Sequence, residues 1–262
     1  MVARPFTIQG AAISITAPVR AAIAGAAIAC VAFAPVSLGQ PSNDPAFANT
    51  VLSVEGKDAN LLAPMWVGVR KTGTRVVRDS TGQKVRISAR SVLSQAVSGT
   101  TTAKVSFKWT WYPSFQAPYV QSIGGQKAVG LKGWNYRVNS LYFAKAANNV
   151  NLGFGDRVVW YWGGEKDTVL EIAAPGVGSI PGVVVGPGPF TVQVNQVTWK
   201  RVRTPAAGAT VTVGAASATT AADGTAAFGA TSGVATIRAT RRGAIAATKQ
   251  LCVEGTNPAC GG

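Results

Sequence analysis

The residues best suited to catalysis are scarce in this chain. It contains no histidine, and Asp and Glu together number 10 among 262 residues. The lack of histidine removes the commonest general base, the commonest metal ligand and the Ser-His-Asp arrangement of many hydrolases. Glu165, Asp167 and Glu171 lie at spacings that place pairs of carboxylates on one strand face, as glycoside hydrolysis would need. Nothing in the sequence places them in a cleft, so we interpret them as solvated charges and expect neither an enzyme nor a metal site.

Aromatic residues are the second group of side chains that could take part in function. Three pairs lie two positions apart in segments that alternate like strands: Trp109 with Trp111, Trp134 with Tyr136, and Trp160 with Trp162. Residues two apart share a face of a strand. Such pairs either fill the core of a sheet or form an exposed platform for sugar rings or another flat ligand. The sequence leaves both readings open.

The chain is strongly basic, with a net charge of +15 from 25 Lys and Arg. A basic surface attracts polyanions such as wall polymers, anionic lipids and nucleic acid, whereas charge spread over exposed strands serves solubility. The longest cationic clusters, at residues 200–203 and 241–242, are too short for a polybasic arm. The residues that would form a basic face, if they cluster, are Lys104, Lys108, Lys127, Lys132 and Arg137.

Residues 1–39 have the pattern of a secretory signal peptide. Arg4 and Arg20 precede an alanine-rich apolar run over residues 21–34, and small residues at 37 and 39 favour cleavage before Gln40. The run is too short for a good membrane span, which needs about 20 apolar residues. We therefore expect an extracellular or cell-surface protein. In that oxidising compartment, Cys252 and Cys260 are expected to form a disulfide.

The remaining chain predicts a mainly β protein. Short alternating segments separated by Gly, Pro, Asn and Asp recur throughout, and segments of helical period are rare. One helix is predicted over residues 88–96 with Ser88 as its N-cap, and a clean strand over residues 104–111. The Gly- and Pro-rich residues 175–189 favour a loop.

Residues 50–164 resemble the DUF4430 family, the transcobalamin-like C-terminal domains of bacterial exported proteins. An aromatic-Val-x-x-Ile-x-Gly segment is met by residues 119–124, a Trp-x-Tyr-x-Val-Asn strand by residues 134–139, and Gly-Asp-x-Val-x-Trp by residues 155–160. The resemblance implies a β-grasp-like domain with one short helix over residues 40–166. It also implies a binding edge at Trp134 and Tyr136, with Tyr119 beside them, and it alone suggests cobalamin as a ligand; no other cofactor is expected.

From residue 168 to about 254 the chain resembles bacterial Ig-like or carboxypeptidase-regulatory-like repeats. A Pro-x-x-Gly-Ala-x-Val strand over residues 205–211 is followed by an Asp223-Gly224 hairpin turn. The resemblance implies an Ig-like β-sandwich over residues 167–262 that contains the predicted disulfide. Modules of this kind usually act as spacers or display platforms.

Together these features predict a secreted, non-enzymatic binding or surface-display protein. The candidate ligand-binding residues are Trp134, Tyr136 and Tyr119, and the candidate partners are an anionic wall polymer, a glycan or a corrinoid-like ligand. We expect no specific nucleic-acid target and no membrane span. The alternative is a structural, self-assembling surface component without a small ligand, since exposed strand edges would favour assembly.

Overall fold

The computed structural model describes residues 41–173, 182–185, 188–229 and 233–253, with the backbone alone for residues 182–185 and 253. The predicted signal peptide lies outside these residues. Strands dominate, and one helix is present in the described part of the chain, which confirms the mainly β prediction. Within these ranges no helix is both long enough and apolar enough to cross a membrane.

The N-terminal module, residues 47–163, is built on a five-stranded sheet. Its elements are β1 (Phe47–Glu55), β2 (Asn60–Arg70), β3 (Thr74–Arg78), β4 (Lys84–Ser88), α1 (Val92–Thr102), β5 (Phe107–Tyr112), β6 (Ala117–Ile123), β7 (Gln126–Lys127), β8 (Gly133–Val138), β9 (Leu141–Tyr142) and β10 (Arg157–Gly163). The sheet order is β2-β1-β10-β8-β9, and β1 runs parallel to β10. A first hairpin, a helix across one face and a last strand inserted beside the first form the predicted β-grasp arrangement.

Helix α1 packs its apolar face on this sheet. Val92, Leu93 and Ala96 are fully buried. The predicted cap was wrong: the N-cap is Ser91, whose Oγ accepts a bond of 3.1 Å from the Ser94 amide, and Ser88 instead ends β4. At Gly99 the helix lies so close to the sheet that a Cβ would be 2.9 Å from the Val67 side chain. Only glycine permits that approach.

The strand predicted from residue 104 begins three residues later, at Phe107. Lys104 has a φ of 56°, a left-handed conformation that turns the chain after the helix. The predicted alternation of the strand is otherwise correct, with Trp109 buried and Lys108 exposed. Strands β5, β6 and β7 form a separate three-stranded sheet.

The C-terminal module, residues 168–253, is a sandwich of two five-stranded sheets. Its elements are β11 (Thr168–Ala173), β12 (Gly182–Val185), β13 (Phe190–Val197), β14 (Arg203–Pro205), β15 (Thr210–Val213), β16 (Ala216–Thr219), β17 (Thr225–Phe228), β18 (Val234–Thr240), β19 (Ala244–Ile245) and β20 (Ala247–Val253). Ile172 and Val194 from one sheet meet Val211, Ile237 and Leu251 from the other in a single core. Mainly β architecture is confirmed here too; the closer likeness to Ig-like repeats and the module boundaries stay predictions.

One segment of the expected loop is a strand. Gly182–Val185 pairs in parallel with β20 at the edge of its sheet. Glycine and proline around it predicted a loop over residues 175–189, but pairing with a distant strand determines the conformation of these four residues.

The back face of the N-terminal sheet, opposite the helix, is covered by the C-terminal module. Tyr161 on this face is fully buried in a small cluster with Val169 and Val197. Glu55, 1% exposed, forms an ion pair of 2.7 Å with Arg238 on β18. The second module therefore buries Tyr161 on β10 and Glu55 on β1.

Arg137 is the largest side chain buried completely on the back face. Its guanidinium donates to the backbone carbonyls of Asp167 at 2.6 Å, Thr198 at 3.2 Å and Ser140 at 3.3 Å. Arg137 was considered for an exposed basic face, as the alternative to charge spread singly over the surface; it is on neither, because the second module covers this position.

Asp79 connects the β3–β4 hairpin to β5. Its carboxylate accepts bonds from the amides of Thr81 and Gln83 at 2.9 Å each and from the Trp111 amide at 3.0 Å. Burial alone would raise the pKa of Asp79, but these bonds outweigh it and hold the pKa below its ordinary value of 3.8. The same carboxylate thus fixes the sheet that carries Tyr119.

We expect Arg137→Met to lower the free energy of unfolding by at least about 3 kcal/mol, because three buried carbonyls lose their donor. Urea denaturation followed by tryptophan fluorescence measures the change. Arg86→Met, at an exposed arginine on β4, is the matched control and should leave stability nearly unchanged. An Arg137→Met protein as stable as the wild type would contradict the anchoring role.

We expect Asp79→Asn to destabilise the fold by about 1–2 kcal/mol at neutral pH, because an amide nitrogen cannot accept the bonds of the second carboxylate oxygen. The folded pKa is lowered, so the contribution of Asp79 is complete above pH 3.8 and disappears as the pH falls through the folded value. The stability difference between wild type and Asp79→Asn should therefore shrink in acid. Asp58→Asn, at an exposed carboxylate, is the control; a difference that stays constant down to strong acid would refute the assignment.

Candidate functional site

An open groove lies on the helix side of the N-terminal sheet, where β8 and β10 meet β6 and the segment after β9. Its volume is about 980 Å³ including the open mouth. We call it the aromatic groove, after its lining residues Tyr119, Trp134, Tyr136, Tyr142, Phe143 and Trp160. All three residues predicted to bind a ligand, Tyr119, Trp134 and Tyr136, thus lie on one concave surface.

Trp134 and Tyr136 form the floor of the groove and are largely buried, at 8% exposure each. The Trp134 Nε1 donates to the Gln126 carbonyl at 2.7 Å, and the Tyr136 hydroxyl donates to the Lys145 carbonyl at 2.6 Å. Burial raises the pKa of Tyr136. Since the polar atoms of both residues bond within the protein, these residues offer a ligand only ring surface.

Tyr119 is the accessible member of the predicted set, at 50% exposure. It lies edge-on to Tyr112 on the neighbouring strand, with ring centroids 6.3 Å apart and planes at 82°. Tyr112 is 44% exposed. Tyr119 on the rim of the groove and Tyr112 beside it therefore present two tyrosine side chains to solvent.

Trp160, which contacts Tyr136 and Phe107, has an unsatisfied donor. Its ring lies 5.4 Å from that of Tyr136, and its Nε1 is buried without a hydrogen-bond partner among the described residues. An unpaired buried donor costs about 1–3 kcal/mol. An acceptor atom from a ligand or a water molecule that reached this wall of the groove would offset that cost.

Tyr142 and Glu165 supply polar groups at the other side of the groove. The Tyr142 hydroxyl donates to Glu165 Oε2 at 3.1 Å. Burial raises the pKa of Tyr142, and the neighbouring carboxylate raises it further. The pair can bind hydroxyl groups of a ligand as donor and acceptor.

Lysines surround the end of the groove beside Trp134. Trp162 is the register partner of Trp134, and the Nζ atoms of Lys57 and Lys132 each lie 5.9 Å from the Trp162 ring. Lys127 accepts the Trp162 Nε1 bond at its carbonyl, at 3.0 Å. With Arg137 excluded, an exposed cationic group of Lys57, Lys127 and Lys132 remains, and only the last two were predicted.

The carboxylates singled out in the sequence are each engaged separately. Asp167 Oδ2 accepts the Gly164 amide at 2.9 Å, Glu171 pairs with Arg203, and Glu165 bonds Tyr142. In the described part of the chain no group of three or more His, Cys, Asp or Glu side chains is arranged to hold a metal. The absence of catalytic activity stays a prediction.

Of the two cysteines predicted to pair, Cys252 lies on β20 and is 2% exposed. Cys260 lies outside the described residues, so the disulfide stays a prediction.

The predicted binding set left out Tyr142, Phe143, Trp160 and Glu165, which also line the groove; Trp160 was considered only as one of an aromatic pair and Glu165 only as a carboxylate. Trp160 had been considered as core, and its 2% exposure agrees with that interpretation. The signal for Tyr142 and Phe143 was their position two and three residues after Ser140, in the Asn139-Ser140 pair whose φ values of 52° and 65° form the tight β8–β9 turn. Adjacent aromatics after such a turn lie back along the strand they follow.

Comparison with known families supports the DUF4430 resemblance over part of the N-terminal module. A family described as "Domain of unknown function (DUF4430)" matches residues 96–164, from within α1 to the end of β10. A search of curated proteins gives no match. The matched stretch is similar to that family, and it contains every aromatic residue that lines the groove.

Proposed function

We propose that this protein is a secreted, non-enzymatic binding protein whose aromatic groove holds a glycan bearing negative charge, such as an anionic wall polymer. The observation that carries the proposal is the convergence of Tyr119, Trp134 and Tyr136 on one groove with an exposed tyrosine rim. Sugar rings stack their C–H faces on aromatic rings, and their hydroxyls need both donors and acceptors.

The lysines beside the groove support the proposal that the ligand is negatively charged. Lys57 and Lys132 flank Trp162, one strand away from the groove floor. A polymer that followed the groove past Trp134 would bring its acidic groups to these ammonium groups. The net charge of +15 favours encounter with such a polymer over a long range at low salt.

The C-terminal module fits the role of a support. It covers the back face of the N-terminal sheet and leaves the groove, on the opposite face, open. A corrinoid remains the ligand suggested by family resemblance alone. Self-assembly without a ligand is the competing proposal. The experiment below distinguishes glycan binding, corrinoid binding and self-assembly.

We expect the chain from Gln40 onward to bind teichoic-type polymer or an acidic polysaccharide measurably in isothermal titration. Tyr119→Ala should weaken the affinity about five- to tenfold, because one exposed ring contributes about 1 kcal/mol. Phe154→Ala is the matched control, since Phe154 is 69% exposed and does not line the groove. Lys132→Ala should reduce the salt dependence of binding.

If cobalamin addition releases heat with the wild type but not with Trp134→Ala, a corrinoid replaces the glycan as the proposed ligand. Equal affinity of Tyr119→Ala and wild type would show that the groove is not the site. If neither polymer nor cobalamin binds, and light scattering shows concentration-dependent assembly, the self-assembling alternative replaces the binding proposal.

A further inference from the structure

The turn between β13 and β14 carries an exposed aromatic residue with lysines around it. Trp199 is 38% exposed. The Nζ atoms of Lys166 and Lys200 lie 5.3 Å and 5.5 Å, respectively, from the centroid of its ring. Both lysines are exposed, and neither forms an ion pair within the described residues. These three residues, which we call the turn cluster, therefore combine a flat apolar surface with two positive charges.

The turn cluster lies beside the aromatic groove. Arg201, in the same turn, donates from its Nη2 to the Tyr142 carbonyl at 3.4 Å, and its guanidinium lies 5.5 Å from the centroid of the Phe143 ring. Both Tyr142 and Phe143 line the groove. Lys166 directly follows Glu165, which is another lining residue. A ligand that left the groove on its Glu165 side would therefore reach the turn cluster next.

Hydrogen bonds hold this turn against the N-terminal module. The Thr198 carbonyl accepts a bond of 3.2 Å from Nη1 of the buried Arg137 and a bond of 3.0 Å from the Arg201 amide. Arg201 has a φ of 67°, a left-handed conformation that is uncommon for residues other than glycine. Because Arg137 and Arg201 both connect the turn to the first module, the backbone of Trp199 has a fixed place relative to the groove.

The carboxylates closest to the turn cluster in the sequence are bonded elsewhere. Glu165 Oε2 accepts the bond of the Tyr142 hydroxyl at 3.1 Å. Asp167 Oδ2 accepts the backbone amide three residues before it at 2.9 Å, and Glu171 is paired with Arg203. An acidic group of a ligand would supply the counter-charge that the two lysines of the turn cluster lack.

We propose that the turn cluster is a second subsite, which binds an acidic sugar unit of the same polymer that occupies the groove. The ring of this unit stacks on Trp199, and its carboxylate or phosphate lies between Lys166 and Lys200. The contacts of the lysines with the ring are exposed and therefore weak, so the ammonium groups can turn to the acid at small cost. The inference rests on the function proposed for the groove, and it makes the C-terminal module part of the binding surface.

Ligand length separates this subsite from the groove. Trimeric and decameric oligogalacturonates are the probes, and isothermal titration is the measurement. Trp199→Ala should weaken binding of the decamer about five- to tenfold, because one ring contact is lost, and should leave binding of the trimer in the groove unchanged. Tyr119→Ala should weaken binding of both. Phe154→Ala, at an exposed ring that does not line the groove, is the control and should bind both like the wild type.

Matched charge changes test the lysines. Lys200→Met should weaken binding of the decamer several-fold, whereas Lys84→Met, which removes the same charge from an exposed position on β4, should change it little. A methyl-esterified decamer, which has the same rings without their charge, should bind to Lys200→Met and wild type equally. Trp199→Phe keeps a ring and should retain most of the affinity. Repeating the titrations with poly(ribitol phosphate) distinguishes the two acids, because the larger loss in Lys200→Met identifies the one bound.

Hydroxyl-radical footprinting of the wild type tests the turn and the groove separately. The long polymers should protect both Trp199 and Tyr119 from oxidation, measured by peptide mass spectrometry. Protection of Tyr119 without Trp199, or a folded Trp199→Ala protein that binds the decamer like the wild type, overturns the second subsite and leaves the groove proposal intact. Protection of Trp199 alone overturns the groove proposal and, with it, the claim that one polymer occupies both sites. Protection of neither residue by either polymer overturns both proposals.

Discussion

Two charged side chains on the back face of the N-terminal sheet, Arg137 and Glu55, are buried, and much of their pairing comes from residues that follow β10 in the chain. Arg137 donates to the carbonyls of Asp167 and Thr198, and Glu55 pairs with Arg238. Leaving either charge buried without partners would cost several kcal/mol. The sheet therefore requires the second module against it, and this constraint fixes which face is left for the groove.

With one face under the sandwich, the other carries α1 and the aromatic residues. Trp134, Tyr136 and Trp160 fill the space beside the helix, and the hairpin of β5 and β6 closes it from the side. Where this layer is incomplete, the groove opens beside Tyr119. A smaller concavity arises in a similar way on the back face, where Val51 and Val159 meet residues of the sandwich. Both concavities are places where two packed layers fail to close.

Local sequence pattern predicted most strands because half-buried strands alternate, and it placed Trp134 and Tyr136 on one face of β8 correctly. It failed to predict the burial of Arg137, because the same alternation marks the opposite face of β8 as polar. Only contact with a distant segment excludes water from that face. The helix cap was misplaced because both Ser88 and Ser91 suit the role. Pairing of Ser88 with Thr74 in the β3–β4 hairpin decides between them.

The groove was only partly predictable, because it too depends on contacts between segments distant in the sequence. Family resemblance indicated Tyr119, Trp134 and Tyr136 as neighbours, but which of them is accessible depends on how loops lie over the sheet. The segment after β9, held by the Tyr136 hydroxyl at the Lys145 carbonyl, covers the two floor residues and leaves Tyr119 at the rim. No local pattern encodes that hydrogen bond, because its acceptor is a backbone group in an irregular segment.

The parallel pairing of β1 with β10 also determines how the N-terminal module bears mechanical load. Val51–Glu55 of the first strand lies beside Arg157–Tyr161 of the last, at the centre of the sheet. Tension applied between Phe47 and Gly163 pulls these adjacent strands in opposite directions along their length. The inter-strand hydrogen bonds are then strained together in shear instead of opening one after another, which is the geometry that resists extension best.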